Sequence, residues 1–157
     1  MKRLVILSAL LASTGIVAKQ TPLTVNSKEP FKGANIIVIQ APDSASVALQ
    51  KFARVLVEQG FSVDKLDLKI GYLTTAPRPY GQISPAEYTY RAVVSPSTTG
   101  STLAVTGSYT VVVGLRKMSE DMFWAKGNLT QGKQCFTTIE KATKAYPSGS
   151  ILYSKKD

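Results

Sequence analysis

The run from Asp43 to Thr75 limits what this chain can become more than any other stretch. In DSASVALQKFARVLVEQG, Ala45, Ala48, Leu49, Phe52, Ala53 and Leu56 recur at spacings of three and four, while Gln50, Lys51, Arg54 and Glu58 fall on the other side. That is a helix with one buried stripe and one wet face. Asp43 or Ser44 can accept an orphan backbone N–H at its start, and Gly60 supplies a left-handed stop at its end. FSVDKL and the segment Ile70–Ala76 flank Asp67–Gly71, which reads as a tight hairpin. Neither a one-striped helix nor a lone hairpin buries its apolar side by itself, so the remaining segments must provide a sheet beneath them.

Those segments are β-prone. Ala34–Gln40 (ANIIVIQ) is a continuous apolar run of strand length, as in a strand covered on both faces or central in its sheet. Glu87–Val94 alternates, with Tyr88, Tyr90, Ala92 and Val94 on one side. Thr102–Val113 puts Leu103, Val105, Gly107, Tyr109, Val111 and Val113 on one side, and Gly107 is expected to mark a bulge or a bend that curves the sheet. Arg116–Gly127 carries Met122, Phe123 and Trp124 among charges and reads as a connection with a short helical turn plugging the core edge. A second helix is expected within about Gly132–Tyr146: Thr137-x-x-Glu140 has the form of a capping box, although an earlier start is open, and Phe136, Ile139, Ala142 and Ala145 or Tyr146 form its buried stripe. Pro147-Ser148-Gly149 stops it, and Ser150–Ser154 is a short final strand. The expected fold is α+β: a mainly antiparallel sheet of about six strands with two helices on one face, in the order β-α-β-β-β-β-α-β.

The first residues read as an address. Met1-Lys2-Arg3 is positive, Leu4–Leu11 is almost unbroken apolar sequence, and Ala12, Ser13, Gly15 and Ala18 are small. This is the layout of a secretory signal peptide, too short to span a bilayer comfortably. The single cysteine, Cys135, is far from any cleavage point, so no lipid anchor is expected there. The expected organisation is a signal peptide over 1–18, a flexible linker over 19–33 and one α+β domain over 34–157, exported to the periplasm or secreted.

The formal net charge is +9, of which Lys2 and Arg3 belong to the leader. Export and the scatter of the positives argue against nucleic acid as partner. A basic surface instead suits an anionic envelope component or an envelope protein. The chain contains no histidine, which removes Ser-His-Asp and Cys-His catalysis and the commonest zinc ligand. Ser62-Val63-Asp64-Lys65 has the S-x-x-K form of penicillin-recognising enzymes, but it falls in an expected strand and its companion motifs are missing. Asp64 and Asp67 read as turn residues, and no glycine-rich phosphate loop occurs. No catalytic residue, metal site or cofactor is therefore expected, nor a membrane span. The ligand-binding candidates are Tyr88, Tyr90, Val105 and Tyr109, with Trp124, as the lining of an apolar cavity between a curved sheet and a helix. The same spacing describes core and cross-strand pairs.

LVEQGFSVDKLDLKIGYLTT resembles a recurring element of exported bacterial envelope proteins of unknown function, in which a helix stops at Gly and an aromatic-led strand enters a hairpin. FTTIEKATKAYPSGSILYSKK is similar to that group's helix, proline-glycine stop and last strand. The arrangement also resembles the helix-grip domains of outer-membrane assembly lipoproteins of the BamC type, across most of residues 34–154, although the lipobox cysteine of that pattern is missing. The resemblance implies a fold and no catalytic residue. The expectation is an exported non-enzymatic domain that binds a partner in the cell envelope, with a small apolar-ligand carrier as the alternative.

Overall fold

The computed structural model describes residues 26–80, 86–127 and 130–156. The signal peptide expected over 1–18 and the first part of the linker expected over 19–33 lie outside the described residues. In chain order the elements are β1 (Ile36–Ala41), α1 (Ala45–Glu58), β2 (Val63–Asp67), β3 (Tyr72–Thr75), β4 (Arg78–Pro79), β5 (Glu87–Ser97), β6 (Gly100–Val113), β7 (Arg116–Asp121), α2 (Gln131–Lys144) and β8 (Ser150–Ser154). The α+β class holds, with more strand than expected: eight strands among the described residues form one antiparallel sheet, ordered β2-β3-β5-β6-β1-β8. The additions are the two-residue β4, paired with β5, and β7, paired with β6. Arg116–Asp121 is thus a strand and not a connection with a helical turn. Every residue of β7 is exposed, so neither face had to be apolar and no alternation marked it.

β5 and β6 are the long strands, of 11 and 14 residues. They pair without interruption from Glu87↔Thr110 to Ser97↔Gly100. The first half of β6 takes β1 on its other edge, from Ile37↔Val105 to Ala41↔Ser101. Its second half takes β7, from Ser108↔Asp121 to Val113↔Arg116. Gly107 stands where the partner changes. It makes no bulge, since the register runs through Tyr90↔Gly107. Glycine is needed there for space: a Cβ would sit 2.6 Å from the Tyr90 ring and 3.0 Å from Met122 Sδ.

Both helices contribute to one buried cluster with a single face of the sheet. From the sheet come Ile37, Ile39, Leu73, Tyr88, Tyr90, Ala92, Leu103, Val105 and Tyr153; from the helices come Leu49, Phe52, Leu56, Phe136 and Ile139. β1 is buried on both sides from Ile36 to Ile39, as its unbroken apolarity predicts. The end of the linker is attached to this unit: Ser27 exchanges both backbone hydrogen bonds with Tyr153, and Gly33 N–H donates to Trp124 O at 2.8 Å.

The helix starts differ in chemistry from the sequence reading. Ser44 takes the N-cap position of α1 but makes no side-chain cap bond. Asp43 instead accepts from Lys51 Nζ at 2.7 Å and from the Tyr146 hydroxyl at 3.3 Å, joining the start of α1 to the residue just beyond α2. α2 begins at Gln131 with Thr130 as its cap, accepting from Lys133 N–H. Thr137 lies inside the helix and returns its hydroxyl to Gln134 O at 3.2 Å.

Gly107→Ala is expected to push the Tyr90 ring or Met122 off its packed position and to cost about 1–3 kcal/mol, as overpacking does. Urea unfolding checks this: the midpoint falls and the slope stays unchanged.

Candidate functional site

Tyr88, Tyr90, Val105 and Tyr109 are brought together on the face that carries the helices, and all four are buried. Each hydroxyl is engaged. Tyr90 donates to Cys135 O at 3.0 Å. The Tyr88 hydroxyl lies 3.1 Å from Gln131 Oε1 and 3.4 Å from Gln134 Oε1. Tyr109 donates to the Glu120 carboxylate on β7. Two of these tyrosines therefore fasten α2 to the sheet, and the third fastens β7 to β6. Tyr88 stacks on Tyr80 with centroids 5.0 Å apart, and Tyr90 meets Phe61 edge-on at 5.5 Å. Arg78 continues the chain of contacts: its guanidinium lies 4.9 Å from the Phe61 centroid and donates to Gln59 O, the C-cap of α1. A cation there complements the negative end of the helix.

Trp124 stands apart from the tyrosines. It is half-buried against the core, its backbone N–H donates to Ala34 O at 2.8 Å, and the Lys133 ammonium lies 5.9 Å from its ring. Met122, just before it, is fully buried, so the segment does plug the core edge, as extended chain after a strand.

The groups with reactive chemistry are used structurally. Cys135 is buried, 3.7 Å from Ser108 O, and burial pushes its thiol up to about 12. Burial, with the bond to Glu120 as a smaller cause, likewise takes the Tyr109 hydroxyl to about 12. Burial raises Tyr88, Tyr90 and Tyr153 as well. Asp67 Oδ1 accepts from Lys69 N–H at 2.9 Å and Ile70 N–H at 3.1 Å, the turn role its position predicts. Glu140, buried on α2, accepts from the Tyr153 hydroxyl at 2.7 Å and pairs with Lys144.

Two features of the described surface bear on binding. One is a cleft of about 410 Å³ at the β5–β6 turn, lined by Gln40, Ala41, Pro42, Ser97, Thr98, Thr99, Ser101 and Thr102. Its lining offers neutral hydrogen-bonding groups and no charge, and none of the tyrosine set belongs to it. The other is the β6–β7 hairpin. Gly114 at φ 62° and Leu115 at negative φ connect Val113 to Arg116, the pattern of a type II′ turn. Leu115 is wholly exposed at that turn, and Val112 and Met118 are 42% and 53% exposed behind it. Arg116 and Lys117 lie between them, both exposed. Sequence reasoning missed this tip. Gly114 between a valine run and Leu-Arg-Lys-Met was the available signal, but a hairpin is recognised from two alternating strands and β7 does not alternate.

Two results are expected at Cys135. The folded chain resists a thiol reagent at neutral pH and reacts once denatured. The Cys135 contribution to stability against urea is flat below the ordinary thiol value of 9.0 and falls as pH rises toward about 12. The sign follows from burial: the unfolded thiol ionises first, so the folded state holds more protons over that range and loses ground as pH rises. In Cys135→Ala the decline should start only where the tyrosines begin to ionise.

No protein-family model matches the sequence, and no curated protein matches it either.

Proposed function

We propose that this chain is an exported, non-enzymatic domain that works by binding a partner in the cell envelope, and that the β6–β7 hairpin is its docking element. One observation carries the reading: Val112, Leu115 and Met118 are held in water at the end of a hairpin, next to Arg116 and Lys117. A turn favours Gly, Asn, Asp and Ser, and the fold gains no burial from a leucine there. Large side chains exposed together mark contact surfaces.

The buried tyrosines support the element in this reading. Tyr88 and Tyr90 hold α2 down, and Tyr109 with Glu120 anchors the base of the hairpin. Among the described residues no helix is long and apolar enough to cross a membrane, so attachment by this part of the chain would be made from the surface. The exported address rests on the leader-like start, and the envelope setting on the resemblance given above.

Incubating the purified chain with an isolated bacterial envelope fraction tests the proposal. Saturable co-sedimentation is expected, reduced at least about tenfold in Leu115→Asp/Met118→Asp, a loss of about 1.4 kcal/mol or more. Both residues lie outside the buried core, so the thermal unfolding midpoint should stay put. Equal sedimentation of the variant would remove the hairpin from the function.

A further inference from the structure

The hairpin tip has a size, a shape and a charge that together select among envelope partners. β6 and β7 remain paired from Tyr109↔Glu120 out to Val113↔Arg116. Tyr109 is buried, and Val111, two residues nearer the turn, is only partly buried. Strands rise by about 3.4 Å per residue, so Gly114, three residues on from Val111, stands roughly 10 Å beyond it. That reach matches the depth of roughly 5–10 Å at which interfacial elements sit between headgroups and acyl chains.

The side chains are arranged in the same sense. Leu115 leads at the turn, Met118 lies on one face opposite Val111, and Val112 and Lys117 share the other face. Arg116 and Lys117 follow the leucine directly, while the carboxylates of the same strand, Glu120 and Asp121, come four and five residues after Arg116. Charge therefore runs from cationic at the tip to anionic at the base. The β2–β3 hairpin provides the contrast. It also exposes large apolar groups, with Leu66 at 43%, Leu68 at 38% and Ile70 at 70%. Its lysines, Lys65 and Lys69, are matched by Asp64 and Asp67, and it lies at the other end of β5, where Tyr72 pairs with Val93.

We infer that the β6–β7 tip docks into the headgroup layer of an anionic membrane, Leu115 entering the apolar boundary with Val112 and Met118 while Arg116 and Lys117 contact lipid phosphates. This rests on the docking reading above and names its occupant. Guanidinium and ammonium groups attract an anionic leaflet without requiring a shaped pocket, and long cationic side chains can keep their charge at headgroup level while their stems lie in apolar surroundings.

Co-sedimentation with vesicles tests it. The purified chain should bind vesicles containing phosphatidylglycerol and not vesicles of phosphatidylcholine alone, and high salt should weaken the binding. Each cation near such a surface contributes about fivefold, so Arg116→Gln/Lys117→Gln should lose about 25-fold. Leu115→Asp should lose at least as much, and Leu68→Asp/Ile70→Asp at the far hairpin should lose nothing. Far-ultraviolet circular dichroism matching the parent establishes that each variant is folded. Binding to anionic vesicles that ignores the β6–β7 substitutions would overturn the inference in favour of a diffuse basic surface. No vesicle binding, combined with Leu115-dependent capture by the envelope fraction, would overturn the lipid and leave the docking reading with a protein occupant. Failure in both assays would overturn both.

Discussion

The continuous pairing of β5 with β6 is the constraint on which the other contacts depend. Each residue from Glu87 to Ser97 has a partner between Gly100 and Thr110, so one register error would turn the whole tyrosine face outward. Tyr90 lying across Gly107 fixes that register sterically, because only glycine leaves room for the ring. Every other strand attaches to this ribbon or to a strand that does: β3 and β4 to β5, β1 and β7 to β6, then β2 and β8 at the margins. The ribbon is also longer than the helices can cover, which is why its far end emerges as an exposed hairpin.

Burying tyrosine instead of phenylalanine on the ribbon has a definite consequence. Each hydroxyl taken from water needs a partner, and the partners lie on specific elements: Gln131 and Cys135 on α2, Glu120 on β7 and, for Tyr153 on β8, Glu140 on α2. An apolar core tolerates sliding of a helix over a sheet far better than a core whose polar tips must meet particular acceptors. Asp43 extends the logic to the other helix by accepting from Lys51 on α1 and from Tyr146 just past α2. The aromatic residues that first suggest a ligand cavity thus define where the helices sit, and the proposed working surface is displaced to the part of the ribbon that no helix reaches.

Much of this was legible in the residues. The stripe from Ala48 to Leu56 is the buried face of α1, and Phe136, Ile139 and Ala142 are that of α2. Gly60 and Gly71 adopt positive φ where turns were expected. These features are local: periodicity and backbone freedom act over a few residues, so a few residues encode them. β7 was not legible, because an edge strand exposed on all sides has no face to mark. The sequence leaves Gly107 open between a bulge and a bend, since glycine in a strand is ambiguous until the ring above it is known. The capping box at Thr137 was a correct local pattern overruled by a helix that starts earlier, at Gln131.

The α+β class, and which sides of the main elements are apolar, follow from the order of residues, because hydrophobic period is a property of the chain alone. Composition by itself also excludes histidine-dependent chemistry. Which groups the tyrosine hydroxyls meet was settled by packing, because those partners lie on elements distant in the chain. Tertiary packing alone decided that Leu115, Met118 and Val112 remain in water while equally apolar residues are buried. The physical reason is length: β6 continues beyond the area that two helices of 14 residues can cover, and where that cover ends depends on the packing of the whole chain.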